Sequence, residues 1–519
     1  MTARVRCLSF QLVASVFAVA LLACSRRNSP LASPADSGAD SPTGEAFPGE
    51  RAAEIAKFKG KLGAIAWETK IHEQPSLQSP MLGYLRAGAV VPCGAEPVSK
   101  SGCPGGWYEI PPTGFVCVEA NAATTDLANP IVRALARRPD PDAHLPYMYG
   151  LVRQRAQMYT KLPSHDEAAR LEPFLDSHIE HWLRASGDRG ASFRADYWLR
   201  PNDAGVAPDP GTLWKERSTD DIPGWMQIGQ TFPGDVSGKS PGWRISAGHT
   251  LAHQGFAFLD TAVRDGRRYA ITTDLLALPV DRMRPIEGSS YRGVRIPDDV
   301  DVPFAFIRHD GGFFYRSSGA SMDREQPALR RAVIKLSGKE RLIGNHYYYE
   351  TTDDRWLCDT HASRVGPLKR IEKWARDGER WIDVRVGSQT LVAFDGTKPV
   401  YATLVSTGEA GLQDPETTKS TVVGDFRIYA KNITTTMSSE AVGEEFELKD
   451  IPYVQYFREG YALHAAYWHD DFGTPRSHGC VNLSPDDARW LFWWTSPAVP
   501  AGWHGVRTAK GGTVVSVHP

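Results

Sequence analysis

The sequence predicts a multidomain, mainly β chain with a mixed α/β stretch in its middle. Three observations carry that expectation. The 519 residues amount to about three to five units at roughly 100–200 residues each. Most apolar runs are short, alternate with polar residues and end at Gly or Pro, of which there are 47 and 37, as strands and turns require. Helical spacing shows over 168–184, where Leu171, Phe174, Leu175, Ile179 and Trp182 fall on one side. Composition also excludes whole classes of function. Lys+Arg 59 against Asp+Glu 61 leaves a net charge of −2, so no nucleic-acid partner is expected, because phosphate binding needs a basic face. There is no apolar run of about eighteen residues or more, which excludes a polytopic membrane protein.

The N-terminus reads as an address. Arg4 and Arg6 precede a mostly apolar stretch over 12–23, too short to span a bilayer of about 30 Å and of the length of a signal-peptide core. It ends in Leu21-Leu22-Ala23-Cys24, which resembles a bacterial lipobox. The resemblance implies cleavage before Cys24, lipidation of that Cys and a membrane anchor. Ser25 at the next position implies the periplasmic face of the outer membrane. Residues 25–58, rich in Ser, Pro, Ala, Gly and Asp, read as a flexible tether.

Seven cysteines are present. Cys7 leaves with the leader and Cys24 carries lipid. The remainder, Cys93, Cys103, Cys117, Cys358 and Cys480, is odd in number, so one free thiol is expected in an oxidising compartment. A disulfide is expected within 93–117, with Cys103–Cys117 preferred; the pairing among Cys93, Cys103, Cys117 and Cys358 stays open.

Residues 59–126 alternate short strands and turns, from Ile71-His72-Glu73 through Leu82-Gly83-Tyr84-Leu85 and Gly105-Gly106-Trp107-Tyr108 to Gly114-Phe115-Val116-Cys117. The pattern resembles a bacterial SH3-like barrel. Residues 127–302 form the mixed α/β region of unknown role, with Asp265-Gly266 as a hairpin turn. His178 and His181 there, and His249 and His253, have metal-ligand spacing but no third ligand beside them, so both pairs read as structural. A second SH3-like domain is expected over 303–370, from Gly311-Gly312-Phe313-Phe314-Tyr315, Tyr347-Tyr348-Tyr349 and Asp354-Arg355-Trp356-Leu357. The aromatic runs read mainly as core.

The last unit, 371–519, carries the chemistry. Strands are expected at 381–386, 392–394, 400–405, 424–428 and 512–517. Ser477-His478-Gly479-Cys480-Val481-Asn482 follows His464. Thiolate is the nucleophilic form of Cys, and at an ordinary pKa of about 8.5 it is scarce at neutral pH, so a nearby imidazole matters. Gly479 permits unusual backbone geometry beside the Cys, and successive amides at His478, Gly479 and Cys480 suit an oxyanion hole. Ser484-Pro485-Asp486-Asp487 reads as a helix start, whose dipole is expected to favour thiolate. His469 lies near the motif and its role is open, with an exposed loop histidine as the default reading.

This block resembles the L,D-transpeptidases, with their YkuD-type catalytic β-sandwich, over about 371–519. Ser406-Thr407-Gly408 and Gly424-Asp425-Phe426-Arg427-Ile428 match secondary landmarks. The resemblance implies that Cys480 attacks the carbonyl after the third residue of a peptidoglycan stem tetrapeptide and releases D-alanine. His464 acts as general base, steadied by the Ala465 carbonyl. His478, Gly479 and Cys480 supply oxyanion amides, with His478 also lining the site, while Ser477 and Asn482 shape the loop. An acceptor amine from a second stem or a protein resolves the thioester. No metal or cofactor is required. The chain departs from the family at Val422-Val423, where Thr-Pro is usual, which puts the preceding loop in question. Hydrolysis of the same thioester would make an L,D-carboxypeptidase. An NlpC/P60-like peptidase is disfavoured because its Cys precedes its His. A non-catalytic wall-binding lipoprotein is the remaining alternative. Oligomeric state is open.

Overall fold

The computed structural model describes residues 57–135, 139–186, 244–251, 254–368, 370–439 and 446–519. The leader, Cys24, the tether up to residue 56 and His253 lie outside these residues. The described residues belong to one compact unit.

Seven short strands lie between Gly60 and Thr124. One of them, β1 (Met81–Arg86), pairs with Glu68–His72 on one side and, through Gly83↔Val506 and Tyr84↔Gly505, with a strand near the C-terminus on the other. A Cβ at Gly83 would stand 2.2 Å from the Gly505 carbonyl oxygen, so this crossing requires glycine. Cys103 and Cys117 form the disulfide. Among the described residues three thiols, rather than the single one expected, stay free: Cys93, Cys358 and Cys480. Cys93 is packed into the main core and Cys358 into a separate small cluster, so burial in different places leaves them unpaired.

In the middle region β2 (Gly255–Arg264) and β3 (Arg267–Thr272) close a hairpin on Asp265 and Gly266, with φ of 49° and 77°, the left-handed pair such a turn needs. The single helix expected over 168–184 is two: α1 (His165–Leu171) and α2 (Leu175–Ser186). Pro173 lacks an amide and disfavours helical geometry in Glu172 before it. Phe174, expected on the apolar side, has φ 61° and is 85% exposed. Glu172 turns inward to Arg267 at 2.7 and 3.0 Å, and Arg267 also meets Asp281 at 3.1 Å. His178 stands 3.2 Å from Asp281, while His181 and His249 are exposed.

Residues 304–365 carry a seven-stranded antiparallel sheet of their own. It includes β4 (His346–Thr351) and β5 (Trp356–Cys358), paired through Tyr348↔Cys358. Of the aromatic runs, Phe314, Tyr315 and Trp356 are buried, whereas Tyr347 is exposed.

The C-terminal region folds as two sheets around a shared core. Its strands are β6 (Arg380–Arg385), β7 (Thr390–Asp395), β8 (Lys398–Leu404), β9 (Gly424–Arg427), β10 (Ala430–Ser439), β11 (Phe446–Arg458), β12 (Tyr461–Ala465) and β13 (Val481–Leu483). Then come helix α3 (Pro485–Trp494), β14 (Gly505–Arg507) and β15 (Val514–His518). The first sheet has the order β8-β7-β6-β15-β9, extended at β8 by Val294–Arg295. The second is continuous across three regions, running β3-β2-β11-β10-β14-β1, with β12 and β13 branching from β11. Ile382, Leu391, Leu463, Val481 and Leu491 pack in one cluster with Leu62, Ile71 and Val91 from the first unit.

Candidate active site

Local sequence sets up the scaffold. Ser484 caps α3, its Oγ accepting the Asp487 amide at 3.2 Å, and Pro485 opens the helix without needing a donor. Asp487 is fully buried and accepts from Tyr401 Oη at 2.6 Å and the Gly293 amide at 2.8 Å. The helix is thereby locked to β8 and to the chain before it.

β12 and β13 run parallel, with Leu463↔Val481 and His464↔Asn482 in register. Side chains alternate along a strand, so Cys480, one residue ahead of β13, shares a face with Asn482 and with His464. The structure therefore sets His464 and Cys480, 16 residues apart in the sequence, on one face of adjacent strands. His464 is buried, and its Nδ1 lies 3.1 Å from the Ala465 carbonyl oxygen. That bond holds the ring proton on Nδ1 and leaves Nε2 as the acceptor. Burial pushes His464 down to about 4, against the pull of the carbonyl.

Cys480 is half-buried, with Sγ 3.7 Å from the Gly460 carbonyl oxygen. Burial pushes the thiol up to about 11, opposed by the backbone of Ala462. The helix dipole was expected to favour thiolate. Burial works against that, because desolvation penalises the charged form. The resting pair is thiol and neutral imidazole.

The loop ahead of Cys480 is fixed by four neighbours. Ser477 Oγ accepts the Gly479 amide at 3.1 Å and donates to the Cys480 carbonyl. Gly479 has φ 127°, and a Cβ there would meet the Tyr461 ring at 2.9 Å. The Thr407 carbonyl accepts the amides of Arg476 and Ser477 at 2.8 and 3.0 Å. Thr421 Oγ1 donates to the Gly479 carbonyl at 2.7 Å and accepts the Gly408 amide at 2.8 Å. Of the three amides expected to face an oxyanion, that of Gly479 is turned onto Ser477. His478 presents an exposed side chain, its ring 5.2 Å from that of Phe446.

Two contributors escaped sequence reasoning. Thr421 directly precedes the departure at Val422-Val423, and its hydroxyl ties that loop to the motif. His469 is buried rather than exposed. Its Nδ1 accepts the Asp471 amide at 3.2 Å, so the proton sits on Nε2, 3.0 Å from the Asn482 amide group. Asn482 Oδ1, buried and otherwise without a partner, is the atom that suits that proton. Burial pushes His469 down to about 4. Among the described residues, a grouping of metal-ligating side chains occurs at His346, Cys358 and Asp359, outside this site.

Residues 379–517 match the YkuD family, described as an L,D-transpeptidase catalytic domain. L,D-transpeptidase 1 of Mycobacterium tuberculosis is 30% identical over 177 residues, covering 31% of this chain and 68% of that protein. A putative L,D-transpeptidase, YciB, of Bacillus subtilis is 27% identical over 138 residues, covering 22% of this chain and 59% of its own length. Among solved structures, an L,D-transpeptidase from Xylanimonas cellulosilytica is 24% identical with a TM-score of 0.21, covering 30% of this chain and 64% of that one.

Proposed function

The chain belongs to the L,D-transpeptidase family, and on that premise we propose that Cys480 is the nucleophile of an acyl transfer on peptidoglycan stem tetrapeptides. The observation that carries this is the β12–β13 pair, which sets Cys480 and His464 on one face with His464 Nδ1 tied to the Ala465 carbonyl. Sγ attacks the carbonyl carbon after the third stem residue while His464 Nε2 takes the thiol proton. The imidazolium then protonates the amine of departing D-alanine and a thioester remains. An acceptor amine attacks the thioester, Nε2 takes its proton, and the sulfur leaves and is reprotonated. With the Gly479 amide held by Ser477, the Cys480 amide is the donor assigned to the oxyanion. Because thiol and imidazole rest neutral, proton transfer accompanies attack rather than preceding it.

The sequence of the first 24 residues supports an exported, lipid-anchored protein, and Ser25 supports the periplasmic face of the outer membrane. Residues 59–126 and 303–370 are read as SH3-like units on their sequence cues.

The test is intact mass after incubation with a carbapenem, which would acylate an activated Cys480. One adduct on the chain lacking residues 1–24, and none on Cys480→Ala, supports the assignment. No adduct on the folded, reduced parent, or one that persists in the variant, overturns it. Muropeptide products then separate cross-linking from hydrolysis. His464→Ala should slow acylation by about 10²–10⁴-fold.

A further inference from the structure

The corner where β4 begins and β5 ends gathers three metal-ligating groups that the acyl transfer does not use. His346 opens β4, Cys358 closes β5, and Asp359 follows. Tyr348 pairs with Cys358, so His346, two residues earlier on its strand, lies on the face of the sheet that carries the thiol. His346 Nδ1 is 3.1 Å from Asp359 Oδ1, and Cys358 Sγ is 3.7 Å from the same oxygen. The three ligand atoms all lie within 4.8 Å of one another.

An N–H and an S–H thus converge on one carboxylate oxygen, which is how a cation site looks with protons in place of the cation. The other oxygen, Oδ2, accepts the Tyr347 amide at 2.9 Å and holds the carboxylate in orientation. Cys358 is buried while His346 is exposed, which provides a path for an ion from solvent. Imidazole, thiolate and carboxylate are the ligands zinc takes, with bonds of about 2.0–2.3 Å that set neighbouring ligand atoms about 3.5 Å apart in a tetrahedron. The corner therefore has to close by no more than about 1.3 Å at its widest separation. The trio is invisible to a search for short-range motifs because His346 and Asp359 stand 13 residues apart.

We propose that His346 Nδ1, Cys358 Sγ and Asp359 Oδ1 form a zinc site, separate from the acyl-transfer centre, whose fourth position is taken by water or by a group from outside the chain. On binding, the thiol proton leaves to solvent, and the imidazole proton moves from Nδ1 to Nε2 so that the Nδ1 lone pair meets the metal. The ion then clips the start of β4 to the end of β5.

The experiment titrates the full-length, reduced, chelator-treated chain with Co(II), whose thiolate charge-transfer absorption reports a sulfur ligand, and then displaces the cobalt with zinc. The expected result is saturation at about one equivalent, with the band present in the parent and in Cys480→Ala and absent in Cys358→Ala. His346→Ala, a change at an exposed position, should weaken Co(II) binding tenfold or more and keeps the test valid if Cys358→Ala does not fold. Absence of saturable binding, a band that survives Cys358→Ala, a band lost with Cys480, or unchanged affinity in His346→Ala overturns the proposal.

Discussion

The strands over 60–124 (the first unit) and the sheet over 304–365 (the second unit) join the catalytic region in different ways. The first shares backbone and core with it. β1 extends the sheet through β14, the Tyr84 carbonyl accepts the His504 amide at 3.0 Å, and Trp503 Nε1 donates to the Pro111 carbonyl at 3.0 Å. Arg86 reaches across to buried Asp450 at 3.0 Å, where Thr434 of β10 and Thr273 of the middle region also donate, at 2.7 and 2.6 Å. The second keeps its own sheet and a cluster of its own around Phe314, Leu336 and Leu357, while Phe304, Phe306 and Val365 belong to a cluster shared with the catalytic region. Its first strand, Phe304–Ile307, is buried on both faces, with Ala305 and Ile307 facing inward and Phe304 and Phe306 packing on Trp381, Phe394 and Phe472. Beyond that contact it is tied by polar bonds, such as Arg331 to the Asp470 carbonyl at 2.7 Å. A shared ladder and core make two segments unfold together, whereas a face contact leaves a neighbour with its own stability.

The largest break in this pattern should come from Asp450→Ala. It leaves Arg86 buried without its counter-charge, a change that costs about 3–5 kcal/mol. Urea denaturation followed by tryptophan fluorescence should show the first unit and the catalytic region failing in one transition. A midpoint close to the parent's would mean that the joint is not a shared element. Next in size are matched truncations at two fully buried positions, Ile71→Ala and Leu357→Ala, each costing about 2–5 kcal/mol. Ile71→Ala should lower the denaturation midpoint for Cys480 labelling. Leu357→Ala should loosen the second unit by hydrogen exchange while leaving carbapenem acylation near the parent's rate. Equal effects on labelling would erase the distinction between the units.

Acid should weigh on the shared core. Burial holds His464 and His469 near 4 and lowers His504 to about 3. In the unfolded chain these groups bind protons from about 6.5 downward, whereas the folded chain binds them only near its own lower values. Stability is therefore full above about pH 6.5 and falls towards pH 4 by up to about 1.4 kcal/mol per pH unit for each group. His469→Gln should make the decline shallower by one group's share in urea midpoints between pH 7.5 and 5. The smallest effect is expected of Arg331→Ala, whose ion pair with Asp470 is partly exposed. A change of about 1 kcal/mol or less should appear in the second unit's protection from exchange.

Much of the site was legible because its signals are contiguous. The hexapeptide at 477–482, the upstream His464, the cap at Ser484 and the hairpin at Asp265-Gly266 all depend on near neighbours. Thr421, His469 and the inward turn of Glu172 were not legible. Their partners, Gly479, Asn482 and Arg267, lie 58, 13 and 95 residues away, and no periodicity links them. The single helix expected over 168–184 failed on a local rule outweighed by apolar spacing, the break that Pro173 imposes.

The sequence by itself determined the reacting pattern: one thiol two residues after a histidine, a glycine that permits an unusual backbone angle beside it, and a helix start just beyond. Tertiary structure decided how those groups rest. Parallel pairing of β12 with β13 put Cys480 and His464 on one face, and a cluster drawn from the remote β11 strand and the middle region packs against Cys480 and half-buries it. Desolvation acts through whatever the fold brings near, not through the residues adjacent in the chain. That is why the thiol was raised where its neighbours in sequence predicted that it would be lowered.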